Sequence, residues 1–168
     1  MGAQAQSEEG GAAPGRGDKH PVTARTKARR RAIEILFEAD QRGMLRPGAP
    51  GRGERLADFA AERAVTSANH TQAPAYTREI LAGLAERLEE VDEAIETYGQ
   101  GWTLGRMPAV DRAIARAAAW EIIYNDEIDP PVAVDEAMTL SRMLSTDESP
   151  RYLGGLLGRI GDLAETLR

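Results

Sequence analysis

The chain has 168 residues, 42% hydrophobic and 29% charged with a formal net charge of −6, the composition of one soluble globular domain long enough to bury a core. It has no cysteine and only two histidines, His20 and His70, so neither a disulfide framework nor a thiolate or all-histidine metal site is expected. No apolar run approaches the roughly 20 residues of a membrane helix, and the N-terminus lacks the apolar stretch of a secretory signal, so a cytoplasmic protein is expected.

Residues 1–23 read as a disordered tail, rich in Gly, Ala, Gln and Pro with hardly a large apolar side chain to bury. The first helical pattern runs from about Ala24 to Arg42, with Ile33, Leu36 and Phe37 one turn apart and Ile35 beside them. "GMLRPGAPGRG" at 43–53 holds six Gly or Pro in eleven residues and reads as a flexible loop. "ERLADFAAERAVTSAN" then sets Leu56, Phe59, Ala60 and the stem of Arg63 along one stripe. A third helix is expected from about Ala75 to Tyr98, because Ile80, Leu81, Leu84, Leu88, Val91 and Ile95 recur at spacings of three and four.

After a short link, "GWTLGRM", Pro108 opens a helix whose Val110, Ile114, Ala117, Ala118 and Ile122 form an apolar stripe. Pro130-Pro131 breaks the chain and starts another. Ser149-Pro150 looks like an N-cap followed by Pro at the first helical position, leading into Leu153, Leu156, Leu157, Ile160 and Leu163. No segment alternates like a strand. The expected fold is all-α, six or seven helices in one compact domain over residues 24–168.

The opening of the first helix carries five cations between Arg25 and Arg31, in a chain that is otherwise acidic. Residues 19–31 hold six basic side chains and no acid; the remaining 15 basic residues face 27 acidic ones, about −12 in net charge. Acidic surfaces repel phosphate in general, so a confined basic cluster argues for one confined anionic site. At about 100° per residue, Arg25 and Arg29 share the azimuth of Ile33, Leu36 and Phe37. Arg is rarely buried unpaired, so the helix is expected to run past the core there as a cationic arm in solvent. Cations at a helix N-terminus oppose the macrodipole by roughly 0.3–1 kcal/mol each. A merely solvated face leaves that placement unexplained, whereas phosphate recognition accounts for it, since Arg supplies forked donors and flat stacking planes.

"ARTKARRRAIEILFEAD", "AYTREILAGL", "LGRMPAVDRAIARAAAWEIIY" and "PPVAVDEAMTLSRMLSTDESPRYLGGLLG" occur in this order, and the succession resembles the NusB family of bacterial transcription antitermination factors over residues 24–160. The resemblance implies two packed helical subdomains. It implies binding of boxA RNA in ribosomal RNA transcripts together with the ribosomal protein NusE, in a complex on RNA polymerase that suppresses premature termination. The family's arginine-rich motif matches Arg25, Lys27, Arg29 and Arg30, and its partner-facing helix matches "VDRAI", which nominates Asp111 as a NusE contact. Asp111 also lies in the first turn of its helix, where an acid complements the dipole. Where many members carry Phe-Val-Asn-Gly, this chain reads Tyr152-Leu153-Gly154-Gly155. The ring of Tyr152 is retained for stacking on a base, with a core position as its rival reading, and the Asn amide is lost.

Other signals point to packing. "LGGLLG" follows no strand and precedes no Lys-Ser/Thr, so it is not a phosphate loop; Gly154, Gly158 and Gly161 share a face where a neighbouring helix can approach. Trp120 in its Ala-rich helix reads as core, and Trp102 as a pin for the link. Asp135-Glu136 and Asp147-Glu148 read as first-turn acids complementing helix dipoles. No nucleophile has a base at a recognisable spacing, so no enzyme, cofactor or small-molecule substrate is expected. The enzyme-class alternative is the RNA-binding domain of a ribosomal RNA cytosine methyltransferase, which would require a further α/β domain that this sequence does not contain. The other alternative, a helical protein–protein scaffold, leaves the cation cluster without a purpose.

Overall fold

A computed structural model describes residues 22–65 and 73–168. The expected disordered tail and the end of the second helical pattern, residues 66–69, therefore lie almost wholly outside the described residues. The chain forms α1 (Ala24–Gln41), α2 (Arg52–Val65), α3 (Ala75–Tyr98), a 3-10 turn (Leu104–Arg106), α4 (Ala109–Tyr124), α5 (Pro130–Leu144), α6 (Ser149–Asp162) and α7 (Ala164–Leu167). No strand occurs among the described residues, so the fold is all-α as expected.

Helices α1, α2 and α3 pack on one another, and α4 to α7 form a second group. Helix α4 joins the two, lying against α1 and α3 on one side and α5 and α6 on the other. Its sequence explains this position. Ala113, Ala115, Ala117, Ala118 and Ala119 are buried together with Ile114, Ile122 and Ile123, so the helix is buried nearly all round. Small side chains let several neighbours approach at once. The contact with α3 is closest where the Trp120 indole lies on Gly83; a Cβ there would come within 2.2 Å of Trp120 Cζ2. Trp120 is thus core, and one hydrophobic cluster runs through both groups of helices.

The periodic residues of α3 are buried as expected, but Phe37 of α1 is 37% exposed. The segment read as a flexible loop is anchored in the structure. Leu45 is fully buried, and its carbonyl accepts from Arg52 Nη1 at 3.3 Å and Arg116 Nη2 at 3.2 Å. Both arginines pair with buried Asp92, which receives Arg52 Nη1 at 2.5 Å and Arg116 Nε at 2.8 Å. Helix α2 accordingly begins at Arg52, inside the Gly/Pro-rich stretch. Of the three glycines expected to share a face of α6, Gly154 meets the Met138 thioether of α5 and Gly161 meets Pro130, whereas Gly158 faces open space.

Candidate functional site

Helix α1 starts with a reciprocal cap. Thr26 N–H donates to Thr23 Oγ1, and Thr23 N–H donates to Thr26 Oγ1, both at 3.2 Å. This satisfies backbone donors that the first turn leaves open. Thr26 is buried and its hydroxyl donates on to Glu136 Oε1 of α5 at 3.2 Å. Two residues on, the Ala28 carbonyl accepts from Thr77 Oγ1 of α3 at 2.7 Å. The end of α1 is therefore held by α3 and α5, where the charge pattern alone predicted a free arm.

Arg29 shows why. It shares the apolar azimuth, as expected, but it stays inside at 5% exposure. Its guanidinium makes a forked pair with Glu121 of α4, Nη2–Oε1 at 2.5 Å and Nε–Oε2 at 3.0 Å, and approaches Glu136 at 3.5 Å. Burial works against its charge, but the hydrogen bond and negative charge of Glu121 outweigh burial and leave its pKa raised. Expecting Arg29 in solvent is thus corrected: the rule against unpaired burial holds, and the partner lies on a distant helix. Glu136 is corrected too, being a buried acceptor in the second turn of α5 rather than a first-turn acid.

Arg25, Lys27 and Arg30 face outward from this anchored end. The Arg25 guanidinium lies over the Tyr76 ring, 4.5 Å from its centroid, and Arg29 lies 5.4 Å from the same ring. Tyr76 is 8% exposed, and its hydroxyl accepts from Asn125 Nδ2 at 3.3 Å. Burial, aided by the charge of Glu121, pushes its pKa up to about 12, so the ring is neutral at physiological pH. Among the described residues Arg30 makes only an exposed pair with Glu34 of its own helix at 3.2 Å. Of the four cations that match the family motif, three are therefore available on an anchored helix end, with Arg29 consumed in holding it.

Asp111, Trp102 and Tyr152 meet elsewhere, around the start of α4. Ten residues of helix separate Asp111 from Glu121, about 15 Å at 1.5 Å per residue. Asp111 is 3% exposed and accepts from Ser145 Oγ at 2.5 Å and Ser149 Oγ at 2.9 Å. It ties down the turn between α5 and α6, so the acid nominated as a NusE contact has its carboxylate engaged within the fold. Ser149 donates its hydroxyl to Asp111, and α6 starts at Ser149 itself, with Glu148 in the cap position where Ser149 was expected.

Tyr152 is half-buried, its hydroxyl donating to Gly99 O at 3.2 Å, and its ring packs on Trp102 at 4.8 Å between centroids. Burial raises its pKa, with the charge of Arg159 opposing. Trp102 remains 44% exposed: Gln100 (φ 50°) and Gly101 (φ 90°) turn the chain sharply and present the indole at the surface while it pins the link to α6. Both rings line a cleft of about 680 Å³ that also includes Arg151, Arg159 and Asp111. Sequence reasoning missed Tyr76 and Glu121 and misassigned Glu136, and the signal for the two acids was that Arg29 needed a partner.

No group of His, Cys, Asp or Glu suited to a metal ion occurs among the described residues, and no helix there is long and apolar enough to cross a membrane. The fold matches the solved structure of NusB from T. maritima at a TM-score of 0.67 and 27% identity, over 83% of this chain and 92% of that one. It also matches, at a TM-score of 0.60 and 20% identity, a chain in a crystal structure of the antitermination factors NusB and NusE in complex with dsRNA, over 82% of this chain and 96% of that one. The transcription antitermination protein NusB of Beutenbergia cavernae is 50% identical over 149 residues, covering 88% of this chain and 95% of that protein. With the NusB family profile matching residues 26–162 as well, the chain belongs to the NusB family.

Proposed function

We propose that this protein is a transcription antitermination factor that binds boxA RNA of ribosomal RNA transcripts together with NusE. In the cytoplasm the pair would join the transcribing RNA polymerase and suppress premature termination. The observation that carries this reading is the anchored cationic end of α1, where Arg25, Lys27 and Arg30 face solvent on a body of opposite charge. Lone cations on a solvated face need no buried anchor; cations that must meet phosphates in register do. Arg29 contributes by holding that end in place, since Glu121 and Glu136 take its charge.

Tyr152 belongs to the same reading as an aromatic face for an unpaired base, backed by Trp102. Asp111 serves NusE binding through the α5–α6 turn it fixes rather than by direct touch. The related chain crystallised with NusE and double-stranded RNA supports the partner and the polymer class. The acidic body suits a basic protein partner.

Titration of the protein with single-stranded boxA RNA, with and without NusE, tests the proposal. NusE is expected to tighten RNA binding by a coupling of roughly 1–3 kcal/mol, and RNA to tighten NusE binding equally. RNA affinity that NusE leaves unchanged would refute the joint mechanism. No RNA binding under either condition would leave a protein–protein scaffold as the function.

A further inference from the structure

The guanidinium of Arg25 has no ion pair among the described residues, yet it is not free to wander. It rests on the face of Tyr76, and Tyr76 is buried and held by its own contacts. Arg29 covers the same ring, Asn125 donates to its hydroxyl, and the next residue, Thr77, bonds the backbone of α1. Two guanidiniums on one ring repel each other. Here Glu121 and Glu136 neutralise the inner one, and the ring's negative face attracts both. The outer cation is left charged, oriented and in solvent.

We propose that Tyr76 is a positioning residue for RNA binding, holding Arg25 in the orientation in which it meets a phosphate. The inference rests on the reading that RNA is held at the end of α1. Its physical basis is preorganisation: a long side chain already fixed loses little further freedom on binding. With the ring on one side only, the N–H donors of the exposed guanidinium stay accessible to a phosphate oxygen.

The test is a double-mutant cycle read by binding of a labelled single-stranded boxA RNA. Tyr76→Leu should weaken binding about two- to tenfold, the cost of reordering one such side chain. In an Arg25→Ala background the same substitution should add nothing, because Tyr76 acts through Arg25. Tyr76→Phe, which keeps the ring, should bind like the unaltered protein. Arg25→Lys approaches from the surface, where folding is not at stake; it keeps the charge, loses the flat stack, and should lose a comparable factor.

Equal losses from Tyr76→Leu with and without Arg25 would overturn the assignment, as would an Arg25→Lys protein that binds normally. A failure of Tyr76→Leu to fold leaves the decision to Arg25→Lys and Tyr76→Phe. Absence of RNA binding by the unaltered protein would overturn the proposed function along with it, whereas the other negative outcomes touch only Tyr76.

Discussion

The cationic end of α1 and the start of α4 are built alike. In each, the side chain that stands out most in the sequence is the one the fold consumes. Arg29 sits in the middle of the charge run and is buried on Glu121; Asp111 is the acid of "VDRAI" and is buried under Ser145 and Ser149. What remains for a partner are the neighbours: Arg25, Lys27 and Arg30 in one place, Trp102 and Tyr152 in the other. The difference lies in what is buried. At α1 a cation meets an anion, so removing either strands a charge. At α4 an anion meets neutral hydroxyls, which can turn to other partners. A motif residue can thus be essential to a binding surface without touching what binds there.

The largest effect should come from Arg29→Ala. It leaves Glu121 buried at 2% exposure without its forked partner, and breaking a buried pair from one side costs about 3–5 kcal/mol. For a chain of this size that corresponds to a fall of roughly 6–20 °C in the unfolding midpoint. Calorimetry would measure it. Were Arg29 a solvent-facing RNA contact, the midpoint would stay where it is, and the contrast between the inner and outer cations would collapse.

Asp111→Ala comes next, at about 1–3 kcal/mol, because one buried hydroxyl, Ser149, and one partly buried hydroxyl, Ser145, lose their acceptor. The loss is moderated by the contacts Ser149 Oγ already makes with Ser145 Oγ at 3.0 Å and Thr146 Oγ1 at 2.8 Å. Asp111→Asn should cost less, since an amide oxygen still accepts and its NH2 can donate to a reoriented hydroxyl. Denaturant unfolding of the two variants checks this order. A direct partner contact predicts the reverse pattern, with native stability and weakened NusE binding alone.

These two residues also mark where sequence reasoning stops. Helix α3 was legible to its ends, Ala75 and Tyr98, because six apolar residues repeat with the helical period. Periodicity registers apolar faces and says nothing of a charge that is neutralised from afar. The partner of Arg29 lies 92 residues away on α4, and those of Asp111 lie 34 and 38 residues away. The stretch 43–53 misled for the same reason. Its Gly and Pro content describes backbone freedom, while Arg52 and the Leu45 carbonyl are held by Asp92 and Arg116 on other helices. Composition located the cationic region; only long-range pairing sorted its members into inside and outside.

The smallest effect on stability should come from the outer cations, and it is the most informative about function. In the double variant Lys27→Ala and Arg30→Ala, loss of the exposed Arg30–Glu34 pair costs about 0.3–0.5 kcal/mol. Relief of unfavourable charge near the helix N-terminus offsets this by a few tenths of a kcal/mol or more, and Ala favours the helix. The unfolding free energy should therefore stay within about 0.5 kcal/mol of the unaltered protein. RNA binding should change far more visibly. Each phosphate contact on a single strand contributes about −0.7 to the slope of log affinity against log salt, so losing two makes the slope shallower by about 1.4. Affinity measured across a salt series reads this directly. An unchanged slope would mean that these cations meet no phosphate, and the anchored end of α1 would then have to be explained by folding alone.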